Sequence, residues 1–170
     1  MSAHESVTRP HRKHPVHQPV LESGNRSTVV FVTVCTKNRA PLLATPEMYR
    51  RILDAWRAAG HWLVGCYAIL PDHIHLFCAP GVYPARPLLN WVRYWKSLVA
   101  KSTAIGPDAL WEKNFWDTQM RRGDSYRAKW EYVRGNPVRH QLVDRTDDWP
   151  FQGEIYLLNL STVFLAYLCQ

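Results

Sequence analysis

The sequence predicts an α+β fold: a ferredoxin-like split β-α-β arrangement with an antiparallel sheet and helices on one face, followed by a C-terminal tyrosine-bearing helix. Three observations predict it. The chain has 170 residues, 46% of them hydrophobic, which suits one domain around one core. Runs with a strand period of two and runs with a helix period of 3.6 follow each other in the order β-α-β-β-α-β-α. No internal repeat or linker divides that series.

Each element has a local reason. Residues 1–26, MSAHESVTRPHRKHPVHQPVLESGNR, mix prolines and basic residues without a period and read as a flexible basic arm. His11, His14 and His17 recur every three residues there, but the prolines break any helix that would align them on a metal. From Ser27, the β-branched run STVVFVTVCTKNR reads as a strand. TPEMYRRILDAWRAAG reads as a helix: Thr45 caps it, Pro46 takes the first turn, Glu47 complements the dipole and Gly60 stops it. Met48, Ile52, Ala55 and Trp56 form its apolar stripe. HWLVGCYAIL and HIHLFCAP are two strands joined at Pro71-Asp72, an antiparallel hairpin. PLLNWVRYWKSLVAK is a second helix, with Leu88, Trp91, Trp95, Leu98 and Val99 inward while Arg93, Lys96 and Lys101 project elsewhere. LWEKNFWDTQM reads as a fourth strand. SYRAKWEYVRG is a third helix, led by Asp124 or Ser125 and ended by Gly135 and Pro137. A domain over 27–152 results, with 153–170 as a tail. The apolar run IYLLNLSTVFLAYLCQ is short for a bilayer span and is broken by Asn159, Ser161 and Thr162, so it reads as a strand or docked segment.

Composition narrows the function. Twenty-one Lys and Arg against 14 Asp and Glu give a formal charge of +7, which suits a polyanionic partner, nucleic acid before an anionic membrane. Cys35, Cys66, Cys78 and Cys169 form no C-x-x-C pair and read as small buried hydrophobes in a reducing compartment. No signal peptide pattern opens the chain. A cytoplasmic protein is expected.

The stretch LPDHIHLFCAP, residues 70–80, sets two imidazoles in a strand. Side chains alternate there, so His73 and His75 share a face and Ile74 takes the other. Both can reach one ion, but a useful site needs a third ligand, and an H-x-H alone more often marks two hydrogen-bonded histidines. In DSYRAKWEYVRGNPVRH, Tyr126, Trp130 and Val133 share a packed face. Tyr132 lies roughly 110° around the helix from the midpoint of Trp130 and Val133, at the edge of the core. Asn136 shares its side if the helix holds, or sits just past the last turn if Gly135 and Pro137 end it. A core-edge tyrosine and a helix stop signal explain both residues equally well in isolation.

Together, LPDHIHLF and the later YVRGNPVRHQLV resemble the single-tyrosine His-hydrophobic-His (HUH) transposases, and within them the REP-associated tyrosine transposases. Lys96-Ser97, the tryptophan-rich strand leading to Arg121 and Arg122, and DDWPF at Asp147–Phe151 also fit. The resemblance covers roughly residues 27–152. It implies a metal-dependent single-stranded DNA endonuclease and strand transferase that cleaves near short palindromic hairpin repeats. His73, His75 and Asn136 would hold Mg²⁺ or Mn²⁺, and Tyr132 would be the nucleophile that forms a 5′-phosphotyrosine. Arg93, Lys96, Arg121, Arg122, Arg134 and Arg139, with Lys101, would line a groove for the strand, and Trp111 or Trp116 would stack on unpaired bases. The implied partner is single-stranded hairpin DNA in the bacterial nucleoid, bound by a monomer or homodimer, with no membrane involved. Two rivals remain. One is a domesticated hairpin-DNA-binding protein without cleavage activity. The other is a zinc hydrolase, which needs another strong ligand beside the histidines; Asp72 adjoins them but sits in the turn. The long His-rich arm and the apolar run after Tyr156 depart from the pattern and leave the oligomeric state open.

Overall fold

The computed structural model describes residues 28–120 and 123–158. Five antiparallel strands form one sheet: β1 (Val29–Cys35), β2 (Trp62–Ile69), β3 (His73–Pro80), β4 (Trp116–Met120) and β5 (Gln152–Glu154), in the order β4-β1-β3-β2-β5. β1, β3 and β2 are largely buried on both faces, so they read as near-continuous apolar runs rather than as polar/apolar alternations. The sheet is therefore covered on both sides.

One side is covered by α1 (Pro46–Ala58) and α2 (Leu88–Lys101). α1 begins where expected, with Thr45 Oγ1 accepting from the Met48 amide at 3.2 Å and Pro46 in the first turn. Its expected stripe of Met48, Ile52, Ala55 and Trp56 is the buried one. These side chains meet Val30, Val32, Val34, Ile74 and Leu76 from the sheet, with Trp91 and Trp95 from α2. The other side is covered by α4 (Gly123–Arg134), whose Val133 is buried and whose Tyr126 and Trp130 pack against Val29, Phe31, Phe77 and Ala79. The first two helices thus share a face, and the tyrosine-bearing helix takes the opposite one.

The structure departs from the sequence reading in several places: α4 starts at Gly123, ahead of Asp124 and Ser125, and Cys35 is only half-buried. The strand expected over 110–120 is only Trp116–Met120: Leu110 closes a short helix, α3 (Pro107–Leu110), and Trp111 makes an isolated bridge to Thr36. Lys96 does not project from α2. It is buried, and its ammonium donates to the Glu112 carbonyl at 2.6 Å because the chain after α3 folds back over it. Leu98 is only half-buried, while Val92 and Ala100 join the inward face.

After α4 the chain bends at Gly135 into α5 (Asn136–Arg139), makes a short turn at Thr146–Asp148 and enters β5 on the edge of β2. The amides of Ile155 and Tyr156 donate to the Gly65 and Val64 carbonyls, and Leu158 is buried against Gly65, where an added Cβ would lie 2.6 Å from Leu158 Cδ1. The sequence expectations for the arm with His11, His14 and His17, for Arg121 and Arg122, and for the tail from residue 159 on fall outside the described residues. Among the described residues, no helix is long and apolar enough to cross a membrane.

Candidate active site

His73 and His75 lie on the α4 side of β3, because Ile74 between them points into the opposite core. Their rings meet edge to face with centroids 4.7 Å apart. Each ring is fixed from behind. His73 Nδ1 is 2.6 Å from Asp72 Oδ1, and a carboxylate only accepts, so Nδ1 carries the hydrogen and Nε2 keeps its lone pair. His75 Nδ1 is 2.9 Å from Thr33 Oγ1, its directly paired neighbour on β1. The turn that carries Asp72 is held in turn, since the Thr36 amide donates to the Asp72 carbonyl at 2.9 Å and Arg39 Nε pairs with Asp72 Oδ2 at 2.7 Å. Burial pushes both imidazoles down in basicity. For His73 it outweighs the opposite pull of Asp72. For His75, burial together with the nearby His73 and Lys129 lowers the pKa to about 3. Both rings are neutral at pH 7, the state a metal ligand needs.

α4 brings the tyrosine to this face. Tyr132 is 57% exposed, one flank of the helix away from the buried Val133. Lys129, one turn earlier, lays its ammonium 5.4 Å from the Tyr132 ring centre and 4.7 Å from that of Phe31. Phe31 stacks on His75 with centroids 5.4 Å apart. A continuous row thus runs from His73 and His75 through Phe31 and Lys129 to the phenol of Tyr132.

Asn136 is buried at 5% exposure and opens α5 directly after the bend. Its Oδ1 accepts from Arg139, whose guanidinium also donates to the Tyr132 carbonyl and lies 4.1 Å over the Tyr132 ring. Arg139 therefore straps Tyr132 to Asn136. The strap runs close to Gly135: an added Cβ would stand 2.8 Å from Arg139 Nη1 and would push the guanidinium aside.

The remaining sequence candidates divide. Arg93 and Lys101 are exposed on α2. Arg134 pairs with Asp147. Lys96 is buried, as described, and Trp111 is also buried, its indole donating to the Lys96 carbonyl at 3.1 Å, so it presents no face to a base. Trp116 is 46% exposed on the edge strand. Tyr126, the other tyrosine of α4, packs edge to face on Phe77 at 4.7 Å, and burial raises its phenol pKa.

Four residues beside the pair were not singled out from sequence as parts of the site: Thr33, Asp72 as an orienting group, Lys129 and His140, whose ring lies 6.1 Å from that of His73. The position of Lys129, three residues before Tyr132, was the one signal available for it.

The chain is 27% identical over 125 residues to the REP-associated tyrosine transposase of Escherichia coli (strain K12), covering 71% of this chain and 73% of that protein. It is 25% identical over 96 residues to a putative REP-associated tyrosine transposase of Haemophilus influenzae (strain ATCC 51907 / DSM 11121 / KW20 / Rd), covering 50% of this chain and 54% of the relative. No protein-family model matches. Among solved structures, a REP-associated tyrosine transposase bound to a REP hairpin superposes with a TM-score of 0.65 at 21% identity, covering 85% of this chain and 82% of that one. In sequence and in fold alike, this chain is similar to the REP-associated tyrosine transposases.

Proposed function

We propose that the chain is a transposase-like, single-stranded DNA endonuclease and strand transferase that acts beside short palindromic hairpin repeats. In this reading Tyr132 is the nucleophile, and His73, His75 and Asn136 hold a divalent metal, Mg²⁺ or Mn²⁺. The observation that carries the reading is the row on the α4 face: two neutral imidazoles, fixed through Nδ1, lie one phenylalanine and one lysine away from an exposed phenol.

The donor types suit such an ion, although Asn136 Oδ1 accepts from Arg139 and as a ligand would exchange that contact for the metal. Two ring nitrogens and an amide oxygen suit Mn²⁺ better than Mg²⁺ and lack the thiolate or carboxylate of a typical zinc site. Among the described residues no three His, Cys, Asp or Glu side chains gather to hold a metal, and in this reading the third ligand is the amide oxygen of Asn136. Asp72 lies behind His73 and against Arg39, which removes it as the extra ligand of a zinc hydrolase. When bound, the metal would withdraw charge from the phosphate oxygens and fix their geometry.

The chain's own residues do the rest. Asp72 and Thr33 keep the imidazoles in place. The exposed Tyr132 admits a phosphodiester in line with its Oη. The Oη–P bond forms as the P–O3′ bond breaks. The phenol proton passes to water, and the electron pair leaves on O3′, which takes up a proton and ends as a 3′-hydroxyl. The 5′-phosphotyrosine keeps the energy of the broken linkage, so a second 3′-hydroxyl can reverse the step. Arg93, Lys101, Arg121 and Arg122 supply charge for the flanking strand, whereas Arg134 is paired with Asp147 and Arg139 is engaged with Asn136 and the Tyr132 carbonyl, and Trp116 offers a face for an unpaired base.

The test is covalent trapping of the full chain with Mn²⁺ and a labelled library of single-stranded hairpin oligonucleotides, run on a denaturing gel. A slow-migrating adduct is expected that disappears with chelator, with Tyr132→Phe and with His73→Ala, and survives Tyr126→Phe. Tight binding without any adduct would instead favour a domesticated hairpin-binding protein.

A further inference from the structure

We infer that Lys129 is a second cationic element of the site: with Tyr132 and the histidine pair it forms a pocket for one phosphate group, and its ammonium contacts the non-bridging oxygens of the phosphate under attack. The inference deepens the nuclease reading and rests on it for the catalytic role, whereas the anion pocket stands on the geometry alone.

Four basic residues lie near the histidines or the tyrosine, and three of them are engaged. Arg39 is committed to Asp72 at 2.7 Å. Arg139 donates to Asn136 and to the Tyr132 carbonyl. Arg134 pairs with Asp147. Lys129 forms no ion pair among the described residues. Its half-buried ammonium rests on two aromatic rings, 4.7 Å from the centre of Phe31 and 5.4 Å from that of Tyr132. Rings attract a cation without satisfying its three N–H donors, so those donors stay available. The position is also central. Phe31 stacks on His75, so the ammonium touches the phenol's ring and is one phenylalanine away from the imidazole pair, beside the place this reading gives to a phosphate attacked by Tyr132 and held near His75. The Lys129 ammonium offsets the charge that builds on the phosphate as the Oη–P bond forms.

Two measurements test this. In the first, metal-free full-length protein with chelator is titrated with inorganic phosphate while the imidazole resonances of His73 and His75 are followed by NMR. Phosphate should shift them in the wild type. Lys129→Met keeps an unbranched stem on the two rings and should weaken that binding about tenfold, and Lys129→Arg should restore it. Equal shifts in Lys129→Met, or none in the wild type, would overturn the pocket. In the second, adduct formation is timed on a normal oligonucleotide and on one with a neutral methylphosphonate at the cleaved position. Lys129→Met should slow the normal substrate by about 10²-fold yet differ little from wild type on the neutral one. An unchanged rate on the normal substrate would overturn the catalytic role. If phosphate binding depends on Lys129 and no oligonucleotide gives an adduct, the pocket stands and the nuclease reading falls.

Discussion

The two faces of the sheet are built from alternate residues of the same strands, yet they are composed for opposite purposes. Under α1 and α2 the surface is sealed: Trp95 meets Trp56, Trp91 and Trp111 at ring separations of 5.6 to 6.2 Å, and even a lysine is folded in. Under α4 the end of the sheet near His73 and His75 carries Thr33, Lys129 and a half-exposed tyrosine instead. Phe77, Tyr126, Trp130 and Val133 close only the rest of that face. The difference teaches that a strand can hold reactive groups in a dry setting if its other face is packed tightly enough to fix the backbone. Burial on the α4 side is partial, sufficient to keep the imidazoles neutral while the phenol reaches solvent.

Substitutions on the two faces should therefore separate chemistry from stability. The largest effect expected is the complete loss of adduct in Tyr132→Phe, with stability within about 0.5 kcal/mol of wild type by urea denaturation, since the side chain is exposed. Its mirror image is Trp95→Ala, which empties a fully buried site and should cost about 3–5 kcal/mol, while the folded fraction still forms adduct. If Trp95→Ala instead abolishes the adduct in fully folded protein, the two faces are coupled and the contrast fails.

Asp72→Asn should weaken Mn²⁺ binding by about 10- to 100-fold in a metal titration, because an amide holds the His73 ring and its tautomer less firmly than a carboxylate. An affinity equal to wild type would mean that the turn positions the backbone alone.

The smallest effect concerns Lys96 on the sealed face. Burial, with Arg93 adding to it, lowers its ammonium to about 8 from 10.5. Between those values the unfolded chain binds more protons than the folded one, so this residue makes stability rise with pH across that window. Below about 8 both states are protonated and the burial penalty is fully present. Lys96→Met removes the dependence, so its stability relative to wild type should be higher at pH 7 than at pH 10. A gap that does not change with pH would mean that the ammonium is better solvated than its burial implies.

Much of this was legible in the chain, for reasons that are local. The caps of the first helix, the shared face of His73 and His75 and the packed side of Tyr126, Trp130 and Val133 follow from periods of 3.6 and two, which neighbouring residues carry by themselves. Where the reading failed, a distant segment intervened. Lys96 looked like a surface charge until the chain after α3 covered it, and Trp111 looked free until Trp95 received it. The strand expected at 110–120 lost its first half because Leu110 and Trp111 found core positions next to α2 and so left the sheet. Asn136, left open between two placements, begins a new turn after the bend, tied back to Tyr132 by Arg139.

The sequence by itself determined the order of elements, the pairing of two imidazoles on one side of a strand and the amphipathic set of the tyrosine helix, because alternation and helical pitch are written into consecutive residues. Only the tertiary structure decided that α4 lies on the histidine face, that Thr33 and Asp72 hold the two rings and that Lys129 rests on both Phe31 and Tyr132. Those relations depend on strand register and on which face each helix buries, which are fixed by packing energies summed over the whole core.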